Sequence, residues 1–270
     1  MTQSSKTTIM NNAEFIQLVQ QHVAANDVWT TELVAANVTH FYQKLLADEK
    51  QLERILIARK YNAEKSLDLF LDQVRFRTKV PTVLPSDIPN ALPSGAWRMM
   101  GYAKDGSPIS NYRLEHWNPH EWTGTLDETV VEYTKYVVYM IELMIASMKE
   151  DQLDKFTVLF DLQGFYFTMV TERNRNHMIR KLIYVAQTQY PERLERVLLV
   201  NAPYGFQTAW ALINPLLDAK TASKIKFVSH AQLLDDIDKS VLAEDYGGTH
   251  ATYAVPVSTI HDEAITTREI

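Results

Sequence analysis

The sequence predicts an α/β chain in which a helical lobe precedes a mixed, largely parallel sheet. Three observations predict it. From residue 13 to 77 every segment reads as helix. Past about residue 95, short apolar strands alternate with helical segments, the order that joins parallel strands through crossovers. Between the two, Pro81, Pro85, Pro89 and Pro93 recur every four residues. Proline lacks the amide donor and clashes with the preceding turn, so this connector cannot be helical throughout. A boundary is expected near 78–95.

The elements follow in order. Residues 1–12 are polar and expected to be loose. Asn62, followed by Leu67, Phe70, Leu71 and Val74, reads as a capped amphipathic helix. WRMMGYA and PISNYRL flank a Lys104-Asp105-Gly106 turn and predict a hairpin. Thr125 with Glu128 forms a capping box that opens a long helix to about 149. Strands are expected at Phe156–Leu162, Val197–Val200 and Ile225–Val228, and helices at 172–189 and 204–218. Ser229 with Gln232 caps one more short helix. In the 204–218 segment, Phe206, Trp210, Ile213 and Leu217 recur at spacings of 4, 3 and 4, which puts them on one helical face. Ala209, Leu212 and Leu216 are expected to widen that face.

Composition excludes several function classes. The 270 residues are 46% hydrophobic, enough for a substantial core, and the net charge of −6 makes a nucleic-acid backbone a poor partner. With no cysteine there is no disulfide, thiolate zinc site or cysteine nucleophile. The N-terminus lacks an apolar signal core, and the longest apolar cluster, VVYMIELMIASM, is interrupted by Glu142, so a cytoplasmic chain is expected. G-x-S-x-G, the Walker loop and G-x-G-x-x-G are all missing. His116 and His120 lie four apart, but Pro119 between them argues against a helix presenting both to a metal. The expectation is a protein that is not an enzyme, with no catalytic residue, no metal and no cofactor.

Four blocks carry a resemblance: ILIARKYNAEKSLDLFLDQVRFR; FDLQG; YPER followed by NAPYGF, Trp210, PLLD and SKI; and Tyr246-Gly247-Gly248. They resemble the CRAL-TRIO family, specifically the yeast-type phosphatidylinositol transfer proteins. Glu53 departs from the Arg usual there, and Ala243 from the Pro often found before Tyr-Gly-Gly. The resemblance implies a helical N-terminal lobe at 1–80, a lipid-binding domain at 95–250 and a tail at 251–270. It implies a sheet flooring an apolar pocket, gated by the 204–218 helix through Phe206, Trp210, Ile213 and Leu217.

The same resemblance implies a head-group site for phosphatidylinositol made of Arg59, Lys60, Glu192, Thr221 and Lys224. Tyr166, Thr168 and Tyr190 are the implied pocket residues for a second hydrophobic ligand. The family's phosphatidylcholine cage would fall at Tyr166 and Thr168 and, by ungapped alignment, at Met99 and Ser110, so this cage is expected to be dismantled and choline held poorly. The expected function is loading and exchange of phosphatidylinositol during transient contact with membranes. The alternative is a carrier or sensor of a sterol, tocopherol or retinoid without phospholipid transfer.

Overall fold

The computed structural model of the chain describes residues 10–26, 39–149 and 153–251. Most of the loose start expected at 1–12, and the tail past Ala251, lie outside them. Two compact units divide the chain: one runs to Thr82 and includes Thr188–Glu192, and the other comprises Val83–Gln187 and the residues from Arg193 on.

The first unit is helical. It contains α1 (Asn12–Ala24), α2 (Thr39–Ala47), α3 (Glu49–Ala58) and α4 (Ala63–Lys79). The Asn62 side chain accepts from the Lys65 amide at 2.9 Å and starts α4, as its sequence predicts. Phe15, Val19, Leu52, Ile55, Leu56, Phe70 and Val74 form the core, with Phe15 edge-on to Phe70 at 6.2 Å. Glu53, in place of the family's Arg, accepts a 2.7 Å hydrogen bond from the Tyr61 hydroxyl. Segment 188–192 joins this unit through polar contacts that a linear reading does not show. Buried Gln73 donates to the Thr188 carbonyl at 2.7 Å, and Gln189 donates to Asp72 at 3.0 Å. Burying an amide side chain requires such partners.

The second unit is built on a five-stranded sheet of order β1-β2-β3-β4-β5. Strands β1 (Trp97–Tyr102) and β2 (Pro108–Arg113) form the predicted antiparallel hairpin. Strands β3 (Phe156–Asp161), β4 (Leu194–Val200) and β5 (Ile225–Phe227) continue it in parallel. Its helices are α5 (Ala91–Ser94), α6 (Leu126–Ala146), α7 (Thr168–Thr171), α8 (Arg173–Tyr184), α9 (Phe206–Ile213), α10 (Ala219–Ser223) and α11 (His230–Asp236). The Thr125–Glu128 and Ser229–Gln232 boxes cap α6 and α11. The helix expected over 204–218 stops at Ile213 and continues as a single tighter turn, Asn214–Leu216. Pro215 has no amide to give to the preceding turn, so the α-helix cannot run on. Likewise α8 ends at Tyr184, and Val185–Gln189 forms a π turn.

Side-chain alternation gives the sheet two different faces. Leu159, Leu198 and Val200 point to one side and pack with Ile109, Leu233, Ile237, Leu242 and Tyr246. Phe156, Val158, Phe160, Val197 and Leu199 point to the other. A bulge lets β4 serve this second face along its whole length. Phe156 pairs with Leu194 but Thr157 with Arg196, so Glu195 is an extra residue and Leu194 faces the same way as Val197.

The Tyr246-Gly247-Gly248 block fixes the ends of these strands. The buried Tyr246 hydroxyl donates to Asp161 at 2.7 Å and accepts from Asn111 at 3.0 Å. Burial raises its pKa far above the usual tyrosine range, so it stays a donor. A Cβ at Gly248 would lie 1.7 Å from the Leu242 carbonyl oxygen, which admits only glycine. Ala243 holds φ −67° and ψ 155°, a conformation proline shares, so the family's alternation between the two residues is conformationally neutral here. Removing the hydroxyl leaves a buried carboxylate oxygen short of a donor. Tyr246→Phe is expected to lower stability by about 1–3 kcal/mol in denaturant titration; an unchanged midpoint would show that the hydrogen bond contributes nothing net.

Candidate functional site

The second face of the sheet does not meet a packed layer. It floors a cavity of about 210 Å³. Phe156, Val158 and Phe160 of β3, Val197 and Leu199 of β4, and Ile225 of β5 line the floor. Ile179, Leu182 and Ile183 of α8 form one wall, and Tyr133 and Ile141 of α6 another. The four residues at spacings 4, 3 and 4 close the top: Phe206, Trp210 and Ile213 of α9, with Leu217 beyond it.

This roof is one helix thick. Phe206 and Ala209 are buried, whereas Leu212, expected to widen the inner face, is 49% exposed. It turns outward because α9 covers the cavity with a narrow stripe, and its outer face is exposed among the described residues. Aromatic edges hold the roof at its rim. Phe206 meets Phe165 at 4.9 Å and Phe227 at 5.9 Å, and Trp210 meets Phe227 at 5.7 Å. Gly205 starts the helix at φ 83°, a left-handed conformation that suits glycine, and no side chain caps the helix there. These contacts are few and individually worth about 0.5–1.5 kcal/mol, so the roof is a weakly held element.

The lining is almost wholly apolar and carries no ionisable group except two tyrosines. Tyr112 and Tyr133 share a hydroxyl contact of 3.3 Å. Burial raises both, Tyr133 to about 12, so both remain neutral. Thr221 and Gln187 give the cavity a polar end. The Thr221 hydroxyl donates to Asp218 at 2.5 Å. Burial opposes ionisation of Asp218, but hydrogen bonds from Thr221 and the nearby Lys224 charge keep its pKa below the usual carboxylate range. Gln187 receives the Asp218 amide at 2.8 Å and donates to the Leu216 carbonyl at 3.2 Å, which ties the π turn to the end of the roof. Lys224 caps α10, with its ammonium on the Leu194 carbonyl. Gln187 was not singled out from the sequence, because an isolated glutamine in a helical run carries no signal.

Of the implied head-group residues, Thr221 and Lys224 belong to the second unit, one turn apart on α10. Arg59, Lys60 and Glu192 belong to the first. Arg59 caps α3, and Lys60 (φ 53°) and Glu192 (φ 61°) both hold left-handed backbone. Tyr190 also lies in the first unit, buried, with its hydroxyl accepting from Arg77 at 2.9 Å.

The structure corrects the placing of Tyr166 and Thr168 in the pocket. Strand β3 ends at Asp161, and the chain turns at Gly164 (φ 80°) before reaching them. Phe165, Met169 and Val170 face the cavity instead. Tyr166 is 45% exposed, its ring 4.8 Å from the Arg175 guanidinium, and Thr168 is exposed. Met99 and Ser110, the aligned cage positions, pair across the hairpin. Ser110 is a core hydroxyl that accepts from the Trp97 indole at 2.8 Å. Trp97 and Tyr112, two residues away on each strand, line the cavity with their rings 5.4 Å apart.

Comparisons with known proteins bear on this cavity. Residues 93–248 match the family model described as CRAL/TRIO domain. The phosphatidylinositol/phosphatidylcholine transfer protein SFH7 of Arabidopsis thaliana is 29% identical over 217 residues, covering 74% of this chain and 39% of that protein. An alpha-tocopherol transfer protein-like protein of Homo sapiens is 26% identical over 211 residues, covering 75% of this chain and 59% of that protein. The chain therefore spans less than two thirds of either relative. The crystal structure of Sfh5 matches with a TM-score of 0.55 at 16% identity, covering 79% of this chain and 78% of that one.

A one-layer roof should open more readily than the rest of the unit. Amides of α9 are expected to exchange with solvent faster than those in the middle of α6, whose residues 136–141 are buried. Equal protection in the two helices by hydrogen-exchange mass spectrometry would show that α9 is part of the core.

Proposed function

The chain belongs to the CRAL/TRIO domain family, and from that premise we propose that it loads phosphatidylinositol beneath α9 and exchanges it at membranes. The single observation that carries this reading is the apolar cavity closed by one thin helix. An acyl chain in water loses about 0.8 kcal/mol per methylene relative to an apolar surrounding. A carrier must therefore replace the bilayer nearly completely, and this lining does so. Ligand pockets commonly measure about 300–1,000 Å³, so the closed cavity of about 210 Å³ is narrow for a diacyl lipid. On this reading the roof moves outward to admit the lipid, and the cavity widens around the chains. The outward Leu212 then suits contact with the membrane while the roof is open.

The polar end supplies the head-group chemistry in this proposal. A phosphodiester attracts the Lys224 ammonium, and inositol hydroxyls suit acceptors such as carboxylates. Arg59, Lys60 and Glu192 complete the proposed set through the family resemblance. No bond of the lipid is broken in this scheme, so the protein acts as a carrier and not as an enzyme. A cytoplasmic carrier that visits membranes fits the described helices, none of which is long and apolar enough to cross one. Trp97 and Tyr112 offer aromatic faces to a second lipid, so phosphatidylcholine is proposed as a ligand alongside phosphatidylinositol, contrary to the expectation from the aligned positions alone.

The narrowness and the near absence of polar lining favour one competing reading: a carrier of a single apolar molecule of the tocopherol type. Mass spectrometry of the lipid that co-purifies with the protein separates the two, with phosphatidylinositol the expected species. In vesicle-to-vesicle transfer, Lys224→Ala is expected to slow phosphatidylinositol about 5- to 150-fold, the equivalent of about 1–3 kcal/mol for a lost partner, with phosphatidylcholine transfer retained. Equal loss of both lipids would place Lys224 outside a head-group role. Transfer of neither lipid by the unmodified protein would overturn the reading itself.

A further inference from the structure

A second cavity, separate from the lipid cavity in its lining, sits at the start of α8. It measures about 180 Å³, and Pro119, His120, Trp122, Thr129, Asn174 and Arg175 are among its walls. Arg175 is the unusual member. Its side chain is 4% exposed, yet among the described residues Nε and Nη1 have no hydrogen-bond partner. The nearest carboxylate, Glu172, lies 3.6 Å from Nε, and its other oxygen faces His120 Nε2 at 3.3 Å. The Tyr166 ring covers the guanidinium at 4.8 Å.

A buried guanidinium is expected to be satisfied, because each unmet donor is costly away from water. Burial also lowers the Arg175 pKa, but arginine remains charged at neutral pH. Three features at this place favour an anion over any other occupant. The planar guanidinium fork matches two oxygens of one oxyanion. The cavity opens at the N-terminal end of a 12-residue helix, where Glu172 makes no side-chain cap and the first amide bonded back within the helix is Asn176, to the Glu172 carbonyl at 2.9 Å. The outer face of the same helix carries Arg173, Arg180 and Lys181, a local positive field on a chain of net charge −6. Asn174 and Thr129 add neutral polar groups to the wall. Glu172 lies beyond hydrogen-bond distance of Arg175, which leaves room for a better acceptor, and a second carboxylate, Glu128, stands against Gly124 in the wall.

We propose that this cavity binds a small phosphate-type oxyanion, with Arg175 as the principal cation and Asn174 and the first amides of α8 as further donors. The oxyanion supplies the acceptors that the guanidinium lacks and turns an under-satisfied buried charge into a neutralised one. The same chemistry is offered by free phosphate and by the phosphomonoester of phosphatidic acid. The site is independent of the lipid cavity and of the transfer reading, so the two proposals can fail separately.

The test uses the full chain at constant ionic strength, with inorganic phosphate exchanged for chloride and, in a second arm, vesicles containing phosphatidic acid exchanged for vesicles of neutral lipid. Thermal denaturation and phosphorus NMR are read together. At phosphate tenfold to twentyfold above its Kd, the melting temperature is expected to rise by about 3–6 °C, with the phosphorus signal broadened by exchange. Arg175→Met, which keeps the buried volume and removes the charge, is expected to melt no lower than the unmodified protein and to lose the phosphate response. Arg175→Lys keeps the charge without the fork and is expected to weaken phosphate about tenfold, which covers the case in which the methionine variant does not fold. A response to free phosphate assigns a soluble ligand, and a response only to phosphatidic acid assigns a lipid-borne one. No response of the unmodified protein to either probe, or an equal response from the methionine and lysine variants, would overturn the site.

Discussion

The second unit depends on the period-two geometry of β3 and β4. One face of these strands, through Leu159, Leu198 and Val200, is buried in a conventional core with Tyr246 and α11. The other, through Phe156, Val158, Phe160, Val197 and Leu199, is equally apolar but faces a cavity. A sheet this apolar on both sides has to be covered on both. On the cavity side the covering is a wall of α8, a wall of α6 and the thin roof of α9, and the apolar surface they enclose is not fully packed. Interiors are normally packed to the density of organic crystals. An enclosed apolar space lined this way loses dispersion contacts until something apolar fills it.

The roof reflects the same constraint from the other direction. The roof is held less firmly than the core helix α6, whose middle is buried. Helix α9 is short, starts at a left-handed glycine without a side-chain cap, and ends where Pro215 interrupts the amide ladder. Its attachments are aromatic edges at one rim and the Gln187 hydrogen bonds at the other end. By contrast, the strand ends are tied by directed hydrogen bonds between buried polar groups, such as those of Tyr246 with Asp161 and Asn111. Contact at the roof is mostly apolar and without direction, whereas the strand ends are held by directed hydrogen bonds.

Arg175 shows the opposite kind of incompleteness, polar where the large cavity is apolar. It lies in the same helix, α8, whose apolar face walls the large apolar cavity through Ile179, Leu182 and Ile183. One helix thus borders an enclosed apolar space along its length and an under-satisfied charge at its start. Neither is what packing alone would produce.

Local signals in the sequence determined the elements. The Thr125–Glu128 and Ser229–Gln232 boxes, the Asn62 cap and the Asp105-Gly106 turn each act within four residues, so they can be read without the fold. The 4-3-4 spacing of Phe206, Trp210, Ile213 and Leu217 named the cavity side of α9 for the same reason: a helix fixes which residues share a face. Only the tertiary structure decided which residues beyond regular elements reach the cavity. Past Asp161 the strand period ends, so Phe165 and Met169 face inward and Tyr166 does not. In β4 the extra residue Glu195 sets Leu194 inward. A turn or bulge changes side-chain direction by a whole face for one residue of chain, and that change is set by pairing with distant strands. The affinity of segment 188–192 for the helical unit is of the same kind, since the partners of Gln73 and Gln189 lie more than a hundred residues away in the chain.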